Sequence, residues 1–155
     1  MYSHFHRILH RLWQGLMLGL VFVQGQVSSQ PLRDTPNNHV LSPLAAAKAQ
    51  LEAYNKRDLA AFVAVFADDV RVYREPKREP VIVGKLAFTE VYRQRFQTPG
   101  LRAEILNRIE LGNKVIEHER VYGISEQPTD IAVIYEVIDG KIQNVWFFRA
   151  EPSAN

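Results

Sequence analysis

Residues 53–73 read AYNKRDLAAFVAVFADDVRVY, and this stretch predicts the end of one helix, a second short helix and a strand, in that order. Residues 55–57 interrupt the first helical pattern, and Asp58 is suited to cap a new helix. The apolar residues that follow share one helical face; they are Leu59, Phe62, Val63 and Phe66. An order of helix, helix and strand restricts the possible folds more than any other part of the chain.

The strand is predicted from residue 70 onward, where apolar and polar residues alternate as far as Tyr73. Asp68 and Asp69 are predicted to end the second helix rather than to form an acid pair, because adjacent side chains point in different directions. A charged loop with two prolines follows at residues 74–80, and another short strand is predicted at residues 81–83.

Two further helices are predicted on either side of this stretch. Ser42 and Pro43 favour a helix start, and apolar residues then recur at spacings of three and four as far as Tyr54. Gly84 precedes a third amphipathic helix that is predicted to end near Thr98. The folded domain is therefore expected to begin near Ser42.

The second half of the chain changes from a helical period to a period of two, which predicts an antiparallel meander. One hairpin is predicted at residues 101–123 around a two-residue turn at 112–113. The other is predicted at residues 130–149 around a turn at 139–140. Together with the helices, this pattern indicates an α+β fold.

Two-residue turns also predict which residues lie opposite each other and therefore share a face. In the first hairpin His118 is predicted to lie opposite Asn107, with Arg120 on the same face. In the second hairpin one face is predicted to carry Ile134 opposite Val145, with Glu136 and Phe147 also on it. The opposite face of the first hairpin pairs arginine and leucine with glutamates, which favours solvent.

The second hairpin is apolar on both of its faces. Three helices need only one face of the sheet, so a second apolar face, with Trp146 and Phe148, is left on the outside. Such a surface favours contact with another copy of the chain. A homodimer through the outer sheet face is therefore expected, and the alternative is that the chain's own C-terminal tail covers these residues.

The amino-terminal region has the features of a secretory signal. Arg7 and Arg11 precede the apolar run GLMLGLVFV at residues 15–23, and small residues suited to cleavage follow at Gly25 and Ser29. The alternatives are a buried helix or a membrane anchor, but the run is about half of the roughly 20 residues that a span requires. We expect a signal peptide at residues 1–29, a flexible linker at 30–41, no stable membrane span, and a periplasmic or secreted protein.

Composition excludes several classes of function. Removal of Arg7 and Arg11 from 19 basic residues balances the 17 acidic ones, and a neutral chain with no basic run offers little to nucleic acid. Cysteine is absent, so disulfides and thiolate ligands are excluded. With one histidine in the predicted fold, we expect no metal site and no cofactor.

Four segments carry a family resemblance: AYNKRDLAAFVAVFADDVRVY, VGKLAFTEVYRQRF, VIEHERVYG and VIYEVIDGKIQNVWF. Together they resemble the SnoaL-like families of the nuclear transport factor 2-like superfamily over residues 44–149. The resemblance implies a domain at residues 42–150 and a tail at 151–155. It also implies a cone-shaped roll, with three N-terminal helices packed on a curved, mainly antiparallel sheet and a pocket at the open end.

That superfamily includes ketosteroid isomerases, polyketide cyclases, dehydratases and members that only bind or pair, so the fold does not select a function. The isomerase pattern needs a general-base Asp beside a Tyr and a protonated Asp. In this chain the base position falls at Arg74 or Glu75, the Tyr position near Gln50 and the second acid near Ile134. The isomerase residues therefore do not carry over.

The remaining polar residues supply the candidate site. The resemblance and the predicted pairing together imply a pocket lined by Tyr54, Tyr73, Tyr92, Asn107, Arg120, Ile134, Val145 and Phe147. His118 and Glu136 could divide acid and base roles there. Alternatively, His118 bonds Asn107 and Glu136 is satisfied by Arg120 or Gln143, and the tyrosines are core residues.

Three functions fit this sequence. The leading hypothesis is an exported domain that binds a small, mostly apolar or amphipathic molecule in its pocket. The second is an acid–base enzyme, such as an isomerase, cyclase or dehydratase, that uses His118 and Glu136. The third is a dimerisation module without catalytic activity.

Overall fold

The computed structural model describes residues 40–149, which form three helices and six strands. The predicted signal at residues 1–29, nearly all of the linker and the tail at 151–155 lie outside the described residues. None of the helices within 40–149 is both long enough and apolar enough to cross a membrane.

The helices begin where their capping residues predict. Helix α1 spans Pro43–Lys56, and the Ser42 hydroxyl accepts a hydrogen bond of 3.2 Å from the Ala45 amide. Helix α2 spans Leu59–Ala64 and begins after Asp58, whose carboxylate accepts a bond of 3.0 Å from the Ala61 amide. Helix α3 spans Lys85–Arg95. The two side-chain caps satisfy amides that have no partner within their helices.

The strands form one sheet. They are β1 (Phe66–Arg74), β2 (Ile82–Val83), β3 (Arg102–Leu111), β4 (Lys114–Tyr122), β5 (Thr129–Ile138) and β6 (Lys141–Arg149). Their order across the sheet is β2-β1-β6-β5-β4-β3, and all neighbours are antiparallel except β1 and β6. Three helices packed on a curved, mostly antiparallel sheet confirm the predicted α+β cone-shaped roll.

Strand β1 begins earlier than the alternation of residues 70–73 predicts. Phe66 pairs with Ile142 of β6, and Asp68 and Asp69 lie within the strand. The prediction that these two aspartates end helix α2 is therefore wrong. The helix ends at Ala64 instead, because Phe66 is drawn into the sheet and its ring is buried there.

Two bulges shift the pairing of the hairpins. His118 lies opposite Asn107 as predicted, but Leu106 is then an extra residue, so that Ile105 lies opposite Glu119 rather than Arg120. A second irregularity follows the 139–140 turn, where Gln143 is the extra residue. Each bulge moves every later residue of one strand to the other face.

The helices pack on the inner face of the sheet around a cluster of aromatic rings. Phe62 stacks on Phe88 with ring centroids 5.6 Å apart, and Phe66 lies 4.4 Å from Phe88. At the sheet edge the Asn55 amide donates a hydrogen bond of 3.0 Å to the Ala103 carbonyl and accepts one of 2.8 Å from the Ala103 amide. Helix α1 thereby holds edge strand β3 in place.

Candidate functional site

A cavity of about 280 Å³ lies between helices α1 and α3 and the inner face of the sheet. Its apolar walls come from α1, β3, β4, β5, β6 and the β4–β5 loop; they are Leu51, Ala103, Val121, Ile124, Ile131 and Phe147. An enclosed space in which apolar residues lie beside convergent polar groups is typical of a small-molecule site.

A chain of three buried polar side chains lines this cavity. The Gln50 amide donates a hydrogen bond of 3.0 Å to the Tyr135 hydroxyl, which donates one of 3.1 Å to Oε1 of Glu119. Each of the three residues is 5% exposed or less. They come from α1, β5 and β4, so the fold rather than any local motif brings them together.

Glu119 is an acid held in its neutral form. Burial is the main cause that raises its pKa to about 8, and the negative charge of neighbouring Glu117 is the second. Burial also raises the pKa of Tyr135 well above its usual value, followed by the effect of Glu119. At pH 7 the cavity therefore presents a carboxylic acid and a phenol, both protonated.

Glu117 lies two residues before Glu119 on the same face of β4. It is fully buried and forms an ion pair of 2.6 Å with Arg108 of β3. Its second oxygen, Oε2, has no hydrogen-bond partner among the described residues. A buried carboxylate with a cationic partner on one oxygen only is costly, and a proton kept on Glu119 prevents a second buried negative charge beside it.

Two tyrosines line the wall of the cavity formed by the helices. Tyr54 of α1 and Tyr92 of α3 meet edge to face, with ring centroids 6.4 Å apart. Burial raises the pKa of both phenols, most strongly that of Tyr92. The Arg95 guanidinium lies 6.0 Å from the centroid of the Tyr92 ring and opposes this rise in both. Both hydroxyls are therefore protonated at neutral pH and available as donors.

The cavity is also lined by charged residues that lie partly or largely in solvent. Arg74 and Glu75 follow one another at the end of β1, Arg149 ends β6, and Arg95 ends α3. The Arg74 guanidinium lies 5.9 Å from the centroid of the Phe147 ring. These side chains give the opening an excess of positive charge.

Three of the predicted pocket residues line the cavity: Tyr54, Tyr92 and Phe147. Val145 also lies on the inner face, but it is 2% exposed and belongs to the core. The bulge at Gln143 places Val145 and Phe147 opposite Tyr135 and Val133 rather than opposite Ile134 and Ala132.

Both predicted acid–base residues lie on the outer face of the sheet, away from this cavity. The His118 side chain is 50% exposed and its Nε2 lies 3.8 Å from Asp130. Glu136 forms an ion pair of 2.6 Å with Lys114, and that bond and one from Asn144 lower its pKa. The prediction that they project into the pocket is wrong, because the buried face of β4 is the one that carries Glu117 and Glu119.

The other predicted residues lie on the same outer face. Arg120 forms bonds of 2.7 and 2.9 Å to Asp130. Asn107 is exposed, and Ile134 pairs with Trp146. The Tyr73 ring stacks on Trp146 at 5.3 Å. The predicted placement of Tyr73, Asn107, Arg120 and Ile134 in the pocket is therefore wrong.

Glu119 is a candidate site residue that the sequence did not predict, as are its partners Gln50 and Tyr135. Residues 117–120 are charged or polar on both faces, so alternation within β4 does not identify the buried side. Strand β5 holds the stronger signal, because Ile131, Val133 and Tyr135 are apolar or aromatic and their register places Glu119 beside Ile131. The alternation of apolar residues in β5 identifies its inner face, and the pairing of β4 with β5 then places Glu119 on that same face.

The outer face carries a continuous row of five apolar residues, one from each of five neighbouring strands. Each pairs with the next across the sheet: Tyr73, Trp146, Ile134, Ile116 and Ile109. Ile109, at the end of the row, is 54% exposed. We call these five residues the outer apolar row.

No group of three His, Asp or Glu side chains within residues 40–149 could hold a metal ion. The polar groups of the cavity are suited to hydrogen bonding and proton transfer with an organic molecule.

Comparison with known proteins identifies the domain. The family model described as a SnoaL-like domain matches residues 47–145. Among curated proteins no significant match is found.

Many solved structures have a similar fold, and the proteins they represent are named for different activities. A proposed ketosteroid isomerase from Kribbella flavida is 21% identical, with a TM-score of 0.63 over 73% of this chain and 81% of that one. An epoxide hydrolase from M. tuberculosis, described as LEH-like, is 19% identical, with a TM-score of 0.62 over 70% and 82%. A proposed polyketide cyclase from Sinorhizobium meliloti is 21% identical, with a TM-score of 0.58 over 66% and 92%. These likenesses establish the fold alone.

Proposed function

The chain belongs to the SnoaL-like domain family, and from that premise we propose that it binds a small, mostly apolar molecule in the cavity beside Glu119. The observation that carries the proposal is a buried carboxyl with a raised pKa in a cavity that combines apolar residues with tyrosine hydroxyls and has charged groups at its opening. Its Oε1 accepts a hydrogen bond from Tyr135, and the neighbouring Glu117 carboxylate also interacts with its proton, so a ligand oxygen would compete with Glu117 for that proton. A carbonyl or hydroxyl oxygen on the ligand is the natural acceptor.

Substitution of Glu119 tests this role. Two replacements distinguish the loss of the hydrogen-bond donor from the loss of the titrating carboxyl. Glutamine at this position would keep a donor of the same shape without a titrating proton, whereas leucine removes the donor. We therefore expect ligands to stabilise wild type and Glu119→Gln alike near neutral pH, and Glu119→Leu much less. Above pH 8 the wild type loses its donor, so only Glu119→Gln keeps its affinity.

The measurement is thermal stabilisation of residues 30–155 by small bicyclic ketones, phenols and carboxylic acids. A ligand at about 100 times its dissociation constant adds roughly 2.7 kcal/mol to the free energy of unfolding. Replacement of Ile124 by tryptophan, which fills the cavity, should abolish the effect. No stabilisation by any of the three classes would contradict the proposal.

Acid–base catalysis is the second candidate, supported by the position of Glu75. This carboxyl lines the cavity, as does Glu119, and it occupies one of the two positions at which the isomerase pattern has its base. In this mechanism Glu75 takes a proton from the carbon beside a ligand carbonyl while Glu119 protonates the oxygen. With a β,γ-unsaturated ketone this gives a dienol; Glu75 then delivers its proton to the far carbon of the dienol while the enol hydroxyl returns its proton to Glu119, which gives the isomerised ketone and restores both residues.

Deuterium exchange separates catalysis from binding. A bound ketone in D₂O should take up deuterium beside its carbonyl with the wild type, and Glu75→Gln should abolish this uptake without loss of binding. Glu119→Gln should also bind and fail to exchange, since an amide does not deliver a proton. Equal uptake by wild type and Glu75→Gln would exclude Glu75 as the base.

Dimer formation through the outer apolar row is the third part of the proposal. The three helices pack on the inner face, so the row is not covered by any of them. A continuous apolar row across five strands is the kind of surface that a second copy of the chain would bury.

We further propose export of the protein to the periplasm or the medium, directed by residues 1–29. The support is the arginine-flanked apolar run of the sequence, since these residues lie outside the structural description. N-terminal sequencing of the protein recovered outside the cytoplasm should begin after Gly25 or Ser29. A chain that retains Met1 in the cytoplasm would contradict export.

A further inference from the structure

Three arginines from separate elements line the same cavity. Arg74 ends β1, Arg95 ends α3 and Arg149 ends β6. Arg74 pairs with Phe147, and Arg149 follows Phe147 by two residues, so both project on the same side of the sheet. Arg74 and Arg149 therefore lie beside Phe147 on the sheet side of the cavity. Arg95 lies on the side formed by the helices.

None of these arginines forms an ion pair with a carboxylate within residues 40–149. Other arginines of the described part are paired, such as Arg108 with Glu117 and Arg120 with Asp130. The cavity arginines contact aromatic side chains instead: Arg74 lies over the Phe147 ring, and Arg95 lies over the Tyr92 ring and interacts with the Tyr54 hydroxyl. Guanidinium groups at a binding site that have no carboxylate partner suit a carboxylate ligand, which they can hold through two parallel hydrogen bonds.

The remaining charges of the lining do not cancel this excess. Two carboxyls line the cavity, those of Glu75 and Glu119. Burial and the charge of Glu117 raise the pKa of Glu119, which leaves it neutral at pH 7. Three cationic groups therefore face one negative group, and an anion that enters meets no buried negative charge in the cavity lining.

We propose that the ligand is an amphipathic carboxylate, whose acid group is held by Arg74, Arg95 and Arg149 while its apolar body lies against Phe147 and Ile131. This inference rests on the proposed function and specifies its ligand. The polar end opposite the acid group reaches the buried Glu119 carboxyl. The molecule thus carries its charge near solvent and its carbonyl or hydroxyl oxygen deep in the cavity.

A matched pair of probes tests the charge without a change of shape. The probes are 2-naphthoate and its uncharged amide, and their dissociation constants are measured by calorimetry on residues 30–155. The naphthoate should bind at least about tenfold more tightly than the amide. Its affinity alone should fall as sodium chloride is raised, because only its interaction with the arginines is screened.

Variants then locate the effect. Replacement of Arg74, Arg95 and Arg149 together by glutamine should reduce the naphthoate affinity to that of the amide measured on the same variant. Arg93→Gln is the matched control, because Arg93 lies on the same helix as Arg95 but pairs with Glu90 and does not line the cavity. It should leave both affinities unchanged.

The outcomes distinguish this inference from the function on which it rests. Equal affinity for both probes, unchanged in the triple variant, would overturn the carboxylate specificity and leave the binding cavity intact. Failure of both probes to bind, with no stabilisation by ketones or phenols, would overturn the proposed function as well. Preference for the naphthoate that survives the triple variant would show that other groups hold the anion, and would also overturn the inference.

Discussion

Glu119 accepts a hydrogen bond of 3.1 Å from the hydroxyl of Tyr135, and both side chains line the cavity that the helices and the sheet enclose. The bond joins β4 to β5 across the inner face, while Gln50 extends it to helix α1. A carboxyl in this position costs free energy when it is charged and is useful as a donor when it is neutral. The protonation state of Glu119 therefore affects the stability of the domain and, under the proposed function, its binding of ligands.

The Glu119→Gln variant should lose part of the pH dependence of stability. The folded pKa of Glu119, about 8, lies above its unfolded value of 4.5. Between these two values the folded state holds a proton that the unfolded state releases, so rising pH destabilises the protein. The free energy of unfolding should fall by up to about 1.4 kcal/mol per pH unit in this window through Glu119 alone.

Urea denaturation at pH 5 and pH 8 measures this effect. Glu119→Gln should lose less stability between these pH values than the wild type. Glu136→Gln is the control, since the pKa of Glu136 is lowered by Lys114 and its contribution is lost only when the pH falls below this window. If the free energy of unfolding fell equally with pH in the wild type and in Glu119→Gln, Glu119 would be ionised in the folded protein.

His118→Ala should leave ligand binding unchanged to within about twofold. The side chain lies on the outer face and approaches Asp130, so its removal alters no group of the cavity. Glu119→Leu, on the adjacent residue but the opposite face, should weaken binding in the same calorimetric assay. A large loss of affinity in His118→Ala would restore the acid–base role that the sequence predicts for this residue.

Trp146→Glu should convert the proposed dimer to a monomer. The indole stacks on Tyr73 in the outer apolar row, and a carboxylate there would be buried without a partner at the interface. Analytical ultracentrifugation should show an increase of roughly tenfold or more in the dimer dissociation constant. Leu86→Glu, at an exposed position of helix α3, should leave the dimer intact, and a monomeric wild type would contradict this interface.

Asn55→Ala should destabilise the edge of the sheet. It removes the two hydrogen bonds to the backbone of Ala103, which costs about 1–2 kcal/mol. The Ala103 amide should also exchange faster with deuterium, because β3 is an edge strand of the described sheet. Asn107→Ala removes one exposed bond to its neighbour's amide and should cost much less. Equal costs for the two variants would exclude the role of Asn55 in holding β3.

The fold could be predicted because its determinants are local. Ser42 and Asp58 cap the helices as their residue types predict, and the turns at 112–113 and 139–140 join the strands of the two hairpins. The parallel pairing of β1 with β6 was not predicted, since no local pattern reports which distant strands meet. Periodicity was therefore sufficient for the class of fold and for most of the elements.

The candidate site could be predicted only in part, for two physical reasons. Bulges at Leu106 and Gln143 change the face of the residues beyond them, and neither is marked by glycine or proline. Glu117 and Glu119 also resemble solvent-facing residues in the sequence, although Arg108 and Tyr135 accommodate them inside. Tyr54, Tyr92 and Phe147 line the cavity, because their rings favour the inner face whatever the register.

The protonation of Glu119 is tested most directly by an NMR titration of its side-chain carboxyl in ¹³C-labelled protein, with Glu119→Gln to assign the signal. We expect this carboxyl to titrate near pH 8 in the folded domain, because of its burial and of Glu117 beside it. A midpoint near the ordinary glutamate value of 4.5 would contradict this expectation, since the cavity would then hold a charged carboxylate at neutral pH rather than a proton donor.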